Sequence, residues 1–284
     1  MTPTQIATDS ALVSTSFGCA VVIPAVDCPC PQVASVQPQL RDDDCLVVVS
    51  NGARSVAHNC SATVLRARSA VWLECPVRLG AGAARNLGVA WLSGRASVLA
   101  FVDHDDNAHD DWLARLRAPL ADDRVDLAGG VLEVASGDRR HHVRPGVDFW
   151  HRQTVYGSNC AVTREAWQRL GGFSTHVGTC EDTDLAWRAA GLGLRIEIVP
   201  TAVVAYTLKH GRAELRQRIT WGRFSVALLR AHHLPLSRHL PTLRGLVAHK
   251  RSHGLASSPL IAGVGQFVGQ SVGRAFDVEY HPGP

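Results

Sequence analysis

Four short apolar runs rich in Val mark the first hundred residues: "CAVVIP" (19–24), "CLVVVS" (45–50), "AVWLEC" (70–75) and "SVLAFV" (97–102). Each has the length and β-branched content of a strand buried on both faces. Between the third and the fourth, "GAGAARNLGVAWLSG" offers Ala84, Leu87, Val89, Ala90 and Trp91 as a helical face, with Gly94 placed to end it. Strands alternating with helices predict an α/β fold built on a mostly parallel sheet flanked by helices.

A second part starts near Ala128. There "AGGVLEV" and "SNCAVT" read as strands, "REAWQRL" as a helix closed by Gly171 and Gly172, and "EDTDLAWRAAG" as a helix closed by Gly191. Next, "LRIEIVP" and "AVVAY" read as two strands, followed by a helix over about 212–230. On that helix Leu215, Ile219, Val226 and Leu229 share one face, while Arg216, Arg223 and Arg230 recur at seven-residue intervals on another. The pattern predicts a disordered extension over 1–18, a catalytic domain over 19–206 with halves at about 19–127 and 128–206, and a basic helical region over 207–284.

Composition narrows the class. Apolar residues make up 46% and charged residues 19% of 284, ordinary for a folded soluble protein. The N-terminal segment has no Lys or Arg and no continuous apolar run, so it lacks the features of a secretory signal. The uncharged segment 255–273 is interrupted by Ser258, Pro259, Gln266, Gln270 and several glycines, too polar for a membrane span. These features predict a cytoplasmic protein. Eight cysteines spread over a chain of this size predict free thiols rather than a disulfide framework. Cys28 and Cys30 in "CPCP" lack the two-residue gap of common zinc knuckles; they read as a loop feature, with a zinc site as the lesser alternative. Cys180 has no base near it in sequence and reads as incidental.

Charge is uneven. Residues 1–204 carry 18 Lys plus Arg against 22 Asp plus Glu, whereas 205–251 carry 10 against the single Glu214. That asymmetry suits a C-terminal surface that meets phosphate or an anionic membrane face, and a solvated basic helix accounts for it nearly as well.

The candidate chemistry starts at "FVDHDD" (101–106), where three carboxylates and a histidine follow an apolar run. Like charges so close resist ionising unless a cation sits among them. In parallel α/β sheets ligands bind at the carboxyl ends of strands, where this motif falls. A hard divalent ion such as Mg²⁺ or Mn²⁺ prefers carboxylate and phosphate oxygens and keeps several waters. The alternative is a capped turn, with Asp110 or Asp111 starting the next helix. In "GTCEDTDLAWRAAGLG", Glu181, Asp182 and Asp184 occupy a first helical turn, where the dipole favours carboxylates. One of them can also serve as a general base toward an acceptor hydroxyl. Two such clusters about 75 positions apart can flank one substrate, one holding phosphates and the other activating the nucleophile.

In order along the chain, "VVIP", "VVVSNGARS", "GAGAARNLGV", "FVDHDD", "GSNCAVTREAWQRLGGF" and "EDTDLAWRAAGLG" resemble the successive signatures of family 2 glycosyltransferases with the GT-A fold, over about 19–222. The resemblance implies a GT-A type sheet with a helical C-terminal extension, and an inverting, hexosyltransferase-like enzyme using a nucleotide-diphosphate sugar with Mn²⁺ or Mg²⁺. It assigns Asp103, His104 and Asp105 to the metal and nucleotide motif, with Asp105 the direct ligand and Asp103 nearer the ribose. Asp182 matches the catalytic base, with Glu181 beside it. Arg85 and Asn86 match the segment beside the nucleotide. Pro24, Ala25 and Asp27 match the loop that meets base and ribose, and Gly157, Ser158 and Asn159 match the segment lining the donor sugar and acceptor.

Three departures follow. "VVIPAVDCPCP" lacks the aromatic residue common in relatives after the first proline, which leaves open whether Asp27 replaces that loop contact. Ser50 stands, followed by Asn51, where relatives carry an Asp that reads the base, so a uracil preference is not implied; serine offers a hydroxyl but no carboxylate. A third metal ligand has only His210 as a candidate. The implied partners are the nucleotide-sugar donor and an acceptor that is lipid-linked, glycan, peptide or small molecule. A peripheral contact with the anionic inner face of a membrane and a homo-oligomer stay open, while no nucleic-acid module is present. Two rivals remain. A sugar nucleotidyltransferase needs a glycine-rich basic loop after the first strand, which "PAVDCPCPQ" does not supply. A catalytically lapsed nucleotide-binding or partner-binding protein is favoured by Ser50 and opposed by the retention of both acidic motifs. The segment 136–153, with Arg139, Arg140, His141, His142 and Arg144, falls where relatives place a variable acceptor loop and reads as solvated; Trp150 within it is a candidate for sugar stacking.

Overall fold

The computed structural model describes residues 5–7, 12, 14–52, 57–65, 69–121, 124–136, 139–145, 152–253 and 258–275. In chain order its first half comprises β1 (Gln5–Ala7), β2 (Phe17–Ala25), α1 (Cys30–Val36), β3 (Cys45–Asn51), α2 (Ala57–Val64), β4 (Ala70–Cys75), α3 (Ala81–Leu92), β5 (Ala96–Val102), β6 (Asn107–Ala108) and α4 (Trp112–Leu120). The second half comprises β7 (Leu127–Ser136), β8 (Arg139–Val143), β9 (Asn159–Thr163), α5 (Arg164–Leu170), α6 (Glu181–Gly191), β10 (Ile196–Tyr206), α7 (Gly211–Ala231), α8 (Leu236–His239), α9 (Leu243–His253) and α10 (Pro259–Ala275).

One sheet runs through both halves in the order β1-β4-β3-β2-β5-β9-β7-β10-β6, with β8 paired to β7. The four Val-rich runs are the parallel block β4-β3-β2-β5. Every residue of β3 is buried, as expected of a strand covered on both faces. Two apolar cores lie on opposite sides of it. Val21, Ile23 and Val48 meet Val33, Trp112 and Leu116 on one side. Val22, Val47 and Phe101 meet Ala84, Phe173 and Leu185 on the other. β9 is antiparallel to both β5 and β7 and joins the halves into one sheet.

Several elements differ from the sequence reading. "LRIEIVP" and "AVVAY" are one strand, β10, whose register with β7 shifts between Ile198 and Val203. Pro200 sits in that irregularity, where its missing N–H costs no ladder bond. Residues 139–143, expected in a solvated loop, form β8 as a hairpin with β7, and Arg140 reaches Glu133 at 3.0 Å. Trp150 lies outside the described residues. Within the segment expected to be disordered, Gln5–Ala7 pair antiparallel with β4. The glycines that interrupt 255–273 prove to be its packing surface: Gly269 on α10 and Gly222 on α7 leave no room for a Cβ against the other helix's backbone. Among the described residues no helix is long and apolar enough to cross a membrane.

Candidate active site

Strands β2 and β5 are neighbours in the sheet although β3 and β4 intervene in sequence, so their carboxyl ends form a topological switch point. "DHDD" follows β5 directly. Three elements converge beside it: Arg85 on α3, Asp103 after β5, and Glu181 with Asp182 at the start of α6. Arg85 is fully buried and bridges the two acidic motifs, giving Nη2 to Asp103 Oδ1 at 2.5 Å and Nη1 to Glu181 Oε1 at 3.0 Å. Its guanidinium lies 5.1 Å from the centre of the Phe173 ring. A cavity of about 500 Å³ opens here, lined by Arg85, Asp103, Gly157, Ser158, Glu181 and Asp182.

Burial governs the electrostatics. Glu181 is raised to about 7 by burial first and by Asp182 second, with the Arg85 contact only partly offsetting them. Asp182 is also raised, chiefly by burial, although it accepts the Gly157 N–H at 3.2 Å and the Thr183 N–H at 2.7 Å. Burial would discharge Arg85, but Asp103 and Glu181 outweigh it and hold the guanidinium charged. Gly157 is fixed by space: a Cβ there would stand 3.0 Å from Arg85 Nη1 and 3.2 Å from the Asp182 Cβ.

The "DHDD" carboxylates part company. Asp103 lines the cavity, Asp105 is exposed with its carboxylate 3.8 Å from His104 Nδ1, and Asp106 is buried. Asp106 is raised well above an ordinary carboxylate by burial and then by Asp103 and Asp105, and its Oδ2 has no hydrogen-bond partner. Capping does not explain the cluster. Asp111 holds the N-cap position of α4 in a left-handed conformation, φ 61°, with no side-chain cap bond. In the second cluster Asp184 is structural, pairing with Arg188 at 2.7 Å and His232 at 2.9 Å.

Other residues singled out from sequence divide in the same way. Asn86 clamps the Phe173 backbone, donating to its carbonyl at 2.8 Å and accepting its N–H at 2.9 Å. Asn51 is buried and holds both backbone groups of Leu79. Asn159 is fully buried within the sheet, where its amide meets Val131, Ala202 and Trp112. These three hold neighbouring structure together and do not line the cavity. Ser158 does line it, and its side chain hydrogen-bonds Asp106. Pro24 and Ala25 end β2; Asp27 follows, accepting the Cys28 N–H at 2.8 Å, and Ser50 is buried near the end of β3. His210 is exposed at the N-terminus of α7 and forms no three-residue ligand cluster with the aspartates among the described residues.

Sequence reasoning missed the opposite wall. Gln217, Trp221 and Phe224 of α7 line the cavity with Tyr156 and Tyr206, so the basic helix shapes the site and does not merely decorate the surface. Gln217 hydrogen-bonds Tyr206, and Arg218 stacks 4.4 Å from the Trp221 ring centre. The positions fall on the face of α7 opposite the adjoining apolar and arginine stripes singled out from the sequence.

Comparison with known proteins bears out the resemblance read from the motifs. The sequence model for glycosyl transferase family 2 matches residues 33–171. The pre-mycofactocin glycosyltransferase of Mycobacterium tuberculosis, in two strains, is 30% identical over 149 residues, 47% of this chain and 31% of that protein. The chain thus spans about a third of the length of the curated relatives it matches. Among solved structures, the mannosyltransferase PcManGT from Pyrobaculum calidifontis, in complex with GDP-Man and Mn²⁺, superimposes with a TM-score of 0.66 at 18% identity, covering 92% of this chain and 88% of that one. GalNAc-T7 with UDP, GalNAc and Mn²⁺ gives 0.60 at 16% identity, covering 87% and 56%. The fold is that of the GT-A glycosyltransferases.

Proposed function

We propose that this GT-A chain, with a family 2 glycosyltransferase region over 33–171, moves a sugar from a nucleotide-diphosphate donor to an acceptor hydroxyl with inversion. The observation that carries the reading is Arg85, buried between Asp103 and Glu181, which draws two acidic motifs from opposite halves of the sheet into one cavity.

Asp182 takes the proton from the acceptor hydroxyl. Burial makes it more basic than an ordinary carboxylate, while the N–H groups of Gly157 and Thr183 fix its orientation. Arg85, itself buried at the cavity wall, is placed to neutralise charge that grows on the departing diphosphate. Direct displacement on the sugar face opposite the leaving group needs no covalent intermediate. Tyr156, Tyr206, Gln217 and Trp221 form the opposing wall and suit a sugar or acceptor ring, with apolar faces and polar tips.

The residues fit a hard divalent ion. Asp103, Asp105 and Asp106 offer only carboxylate oxygens, and the buried Oδ2 of Asp106 has no hydrogen-bond partner of its own. Asp103 and Asp105 would hold Mn²⁺ or Mg²⁺ together with the diphosphate, and the ion supplies charge neutralisation for the leaving group. Both similar structures contain Mn²⁺, which supports this assignment. Arg212, Arg216 and Arg223 stay exposed on α7, which suits a chain docked on the anionic inner face of a membrane to reach its acceptor.

The test is a panel of nucleotide sugars incubated with the chain and Mn²⁺ or Mg²⁺, read as nucleotide-diphosphate release and as calorimetric binding. Metal-dependent release that disappears in Asp182→Asn, with binding weakened in Asp105→Ala, supports the transferase. Tight, metal-dependent binding of a nucleotide diphosphate with no release from any donor and acceptor would instead favour the lapsed binding protein. No binding of any nucleotide diphosphate overturns both.

A further inference from the structure

Three thiols meet away from the acidic cavity. Cys28 and Cys30 flank Pro29 where the chain leaves β2 and enters α1, and Cys60 comes from α2, 32 positions after Cys28. Their sulfur atoms all lie within 4.8 Å of one another, and Cys60 Sγ stands 2.7 Å from Cys28 Sγ. Among the described residues no other group of three His, Cys, Asp or Glu side chains brings its ligand atoms so close. All eight cysteines are free, and of the other five, four lie in the sheet and Cys180 just before α6, without such convergence.

We propose that Cys28, Cys30 and Cys60 form a thiolate site for one soft divalent ion of the zinc class, separate from the oxygen-ligand site at Asp103. The donor set decides the class. Thiolates select Zn²⁺ and similar ions, whereas Mg²⁺ and Mn²⁺ prefer carboxylate and phosphate oxygen. A tetrahedral zinc with bonds of about 2.3 Å sets its sulfurs about 3.8 Å apart, so Cys28 and Cys60, which stand 2.7 Å apart without an ion, separate by about 1 Å to admit it, a side-chain adjustment that stays inside the 4.8 Å limit of the cluster. Three ligands from two segments account for all three thiols, whereas a disulfide uses two and strands the third. Cys60 is buried while Cys28 and Cys30 are partly exposed, so one side of the triad faces water and offers the fourth position to a solvent molecule. Thr63, one turn after Cys60 on α2, hydrogen-bonds Cys30 and supplies the outer contact that orients a metal ligand. The site ties α2 to the loop leaving β2.

The experiment reads metal directly and is independent of turnover. Protein prepared under reducing conditions is loaded with Zn²⁺ in the presence of excess Mg²⁺, desalted and assayed for metal per chain, and a parallel sample is loaded with Co²⁺. The expected result is one zinc per chain and, for the cobalt form, an intense thiolate-to-metal charge-transfer band with visible bands of a tetrahedral centre. Cys28→Ser and Cys60→Ser should each lose that band and bind zinc at least tenfold more weakly, and Thr63→Val should bind about tenfold more weakly with the band retained. A cobalt form without charge transfer overturns the proposal on the parent protein alone, whether or not the variants fold. So does equal zinc content in parent and Cys28→Ser, or a Cys28–Cys60 disulfide that persists under reducing conditions.

Discussion

Asp103, Asp105 and Asp106 leave β5 with little to balance them, whereas Glu181, Asp182 and Asp184 enter α6 among donors. In the first cluster Arg85 reaches Asp103, Asp105 stands in solvent, and Asp106 keeps a buried oxygen without a partner. In the second, Asp184 pairs with Arg188 and His232, Asp182 accepts two backbone N–H groups, and Glu181 takes the other arm of Arg85. The first is electrostatically incomplete and suits an added cation. In the second every carboxylate has a partner, and the basicity that burial gives Asp182 is available to a substrate proton. Crowded carboxylates therefore do not define one chemistry; the partners around them do.

The strongest way to break this comparison is Asp182→Asn. Removing a general base should lower turnover by about 10²–10⁴-fold, with metal-dependent nucleotide-diphosphate affinity unchanged. Steady-state kinetics and calorimetry on the same preparation separate the two effects. Turnover that survives the change would remove Asp182 from the chemistry.

Next in size is Arg85→Met. The guanidinium is buried between two carboxylates, and losing it leaves Glu181 charged without its counterion or forced to take up a proton. Breaking a buried pair from one side costs about 3–5 kcal/mol, read as a fall in the denaturant midpoint. Arg85→Met combined with Glu181→Gln should be more stable than Arg85→Met alone. If it is not, the two clusters are not coupled through Arg85.

Glu181 sharpens the comparison through pH. Its folded pKa of about 7 lies above the ordinary 4.5, so between those values the native state binds more protons than the unfolded chain. Its stabilising contribution is therefore present below about 4.5 and is lost as pH rises through about 7, by roughly 3 kcal/mol at most. Unfolding free energies at several pH values should show a decline in the parent that Glu181→Gln flattens. Asp182 acts in the same direction, so a residual slope should remain in the variant.

How much of this was legible in the sequence depends on where each residue finds its partner. The block β4-β3-β2-β5 was readable because both-face burial writes itself as uninterrupted Val-rich runs. The crowding of carboxylates after β5 and at the start of α6 was readable because such charge demands a reason, while the choice of Asp103 and Asp182 among them came from the motif resemblance. The separation of Asp106 from Asp105 was not, since neighbouring positions that look alike face opposite environments once β5 ends. Gln217, Trp221 and Phe224 reach the cavity from a helix whose periodicity advertises other faces. Cys60 is paired with "CPCP" by the fold alone, across 32 positions.

Asn159 gives the smallest and most discriminating test, because motif and structure assign it differently. Its place in "GSN" put it beside the donor sugar, yet its Nδ2 donates to Val131 at 2.8 Å and Ala202 at 3.1 Å, and its Oδ1 accepts from Trp112 Nε1 at 2.9 Å. Strand pairing explains the difference. β9 lies beside β7, so the side chain of its first residue turns into the sheet's interior and toward α4. Neighbouring Gly130 has no Cβ to obstruct that amide. Asn159→Ala leaves the indole N–H and two carbonyls without partners in a dry site, a cost of about 1–3 kcal/mol. The expected outcome is a lower thermal midpoint, with donor KM and metal affinity unchanged well below it. A raised donor KM with unchanged stability would return Asn159 to the sugar-binding surface, and it would mean that the segment before β9 rearranges when the donor enters.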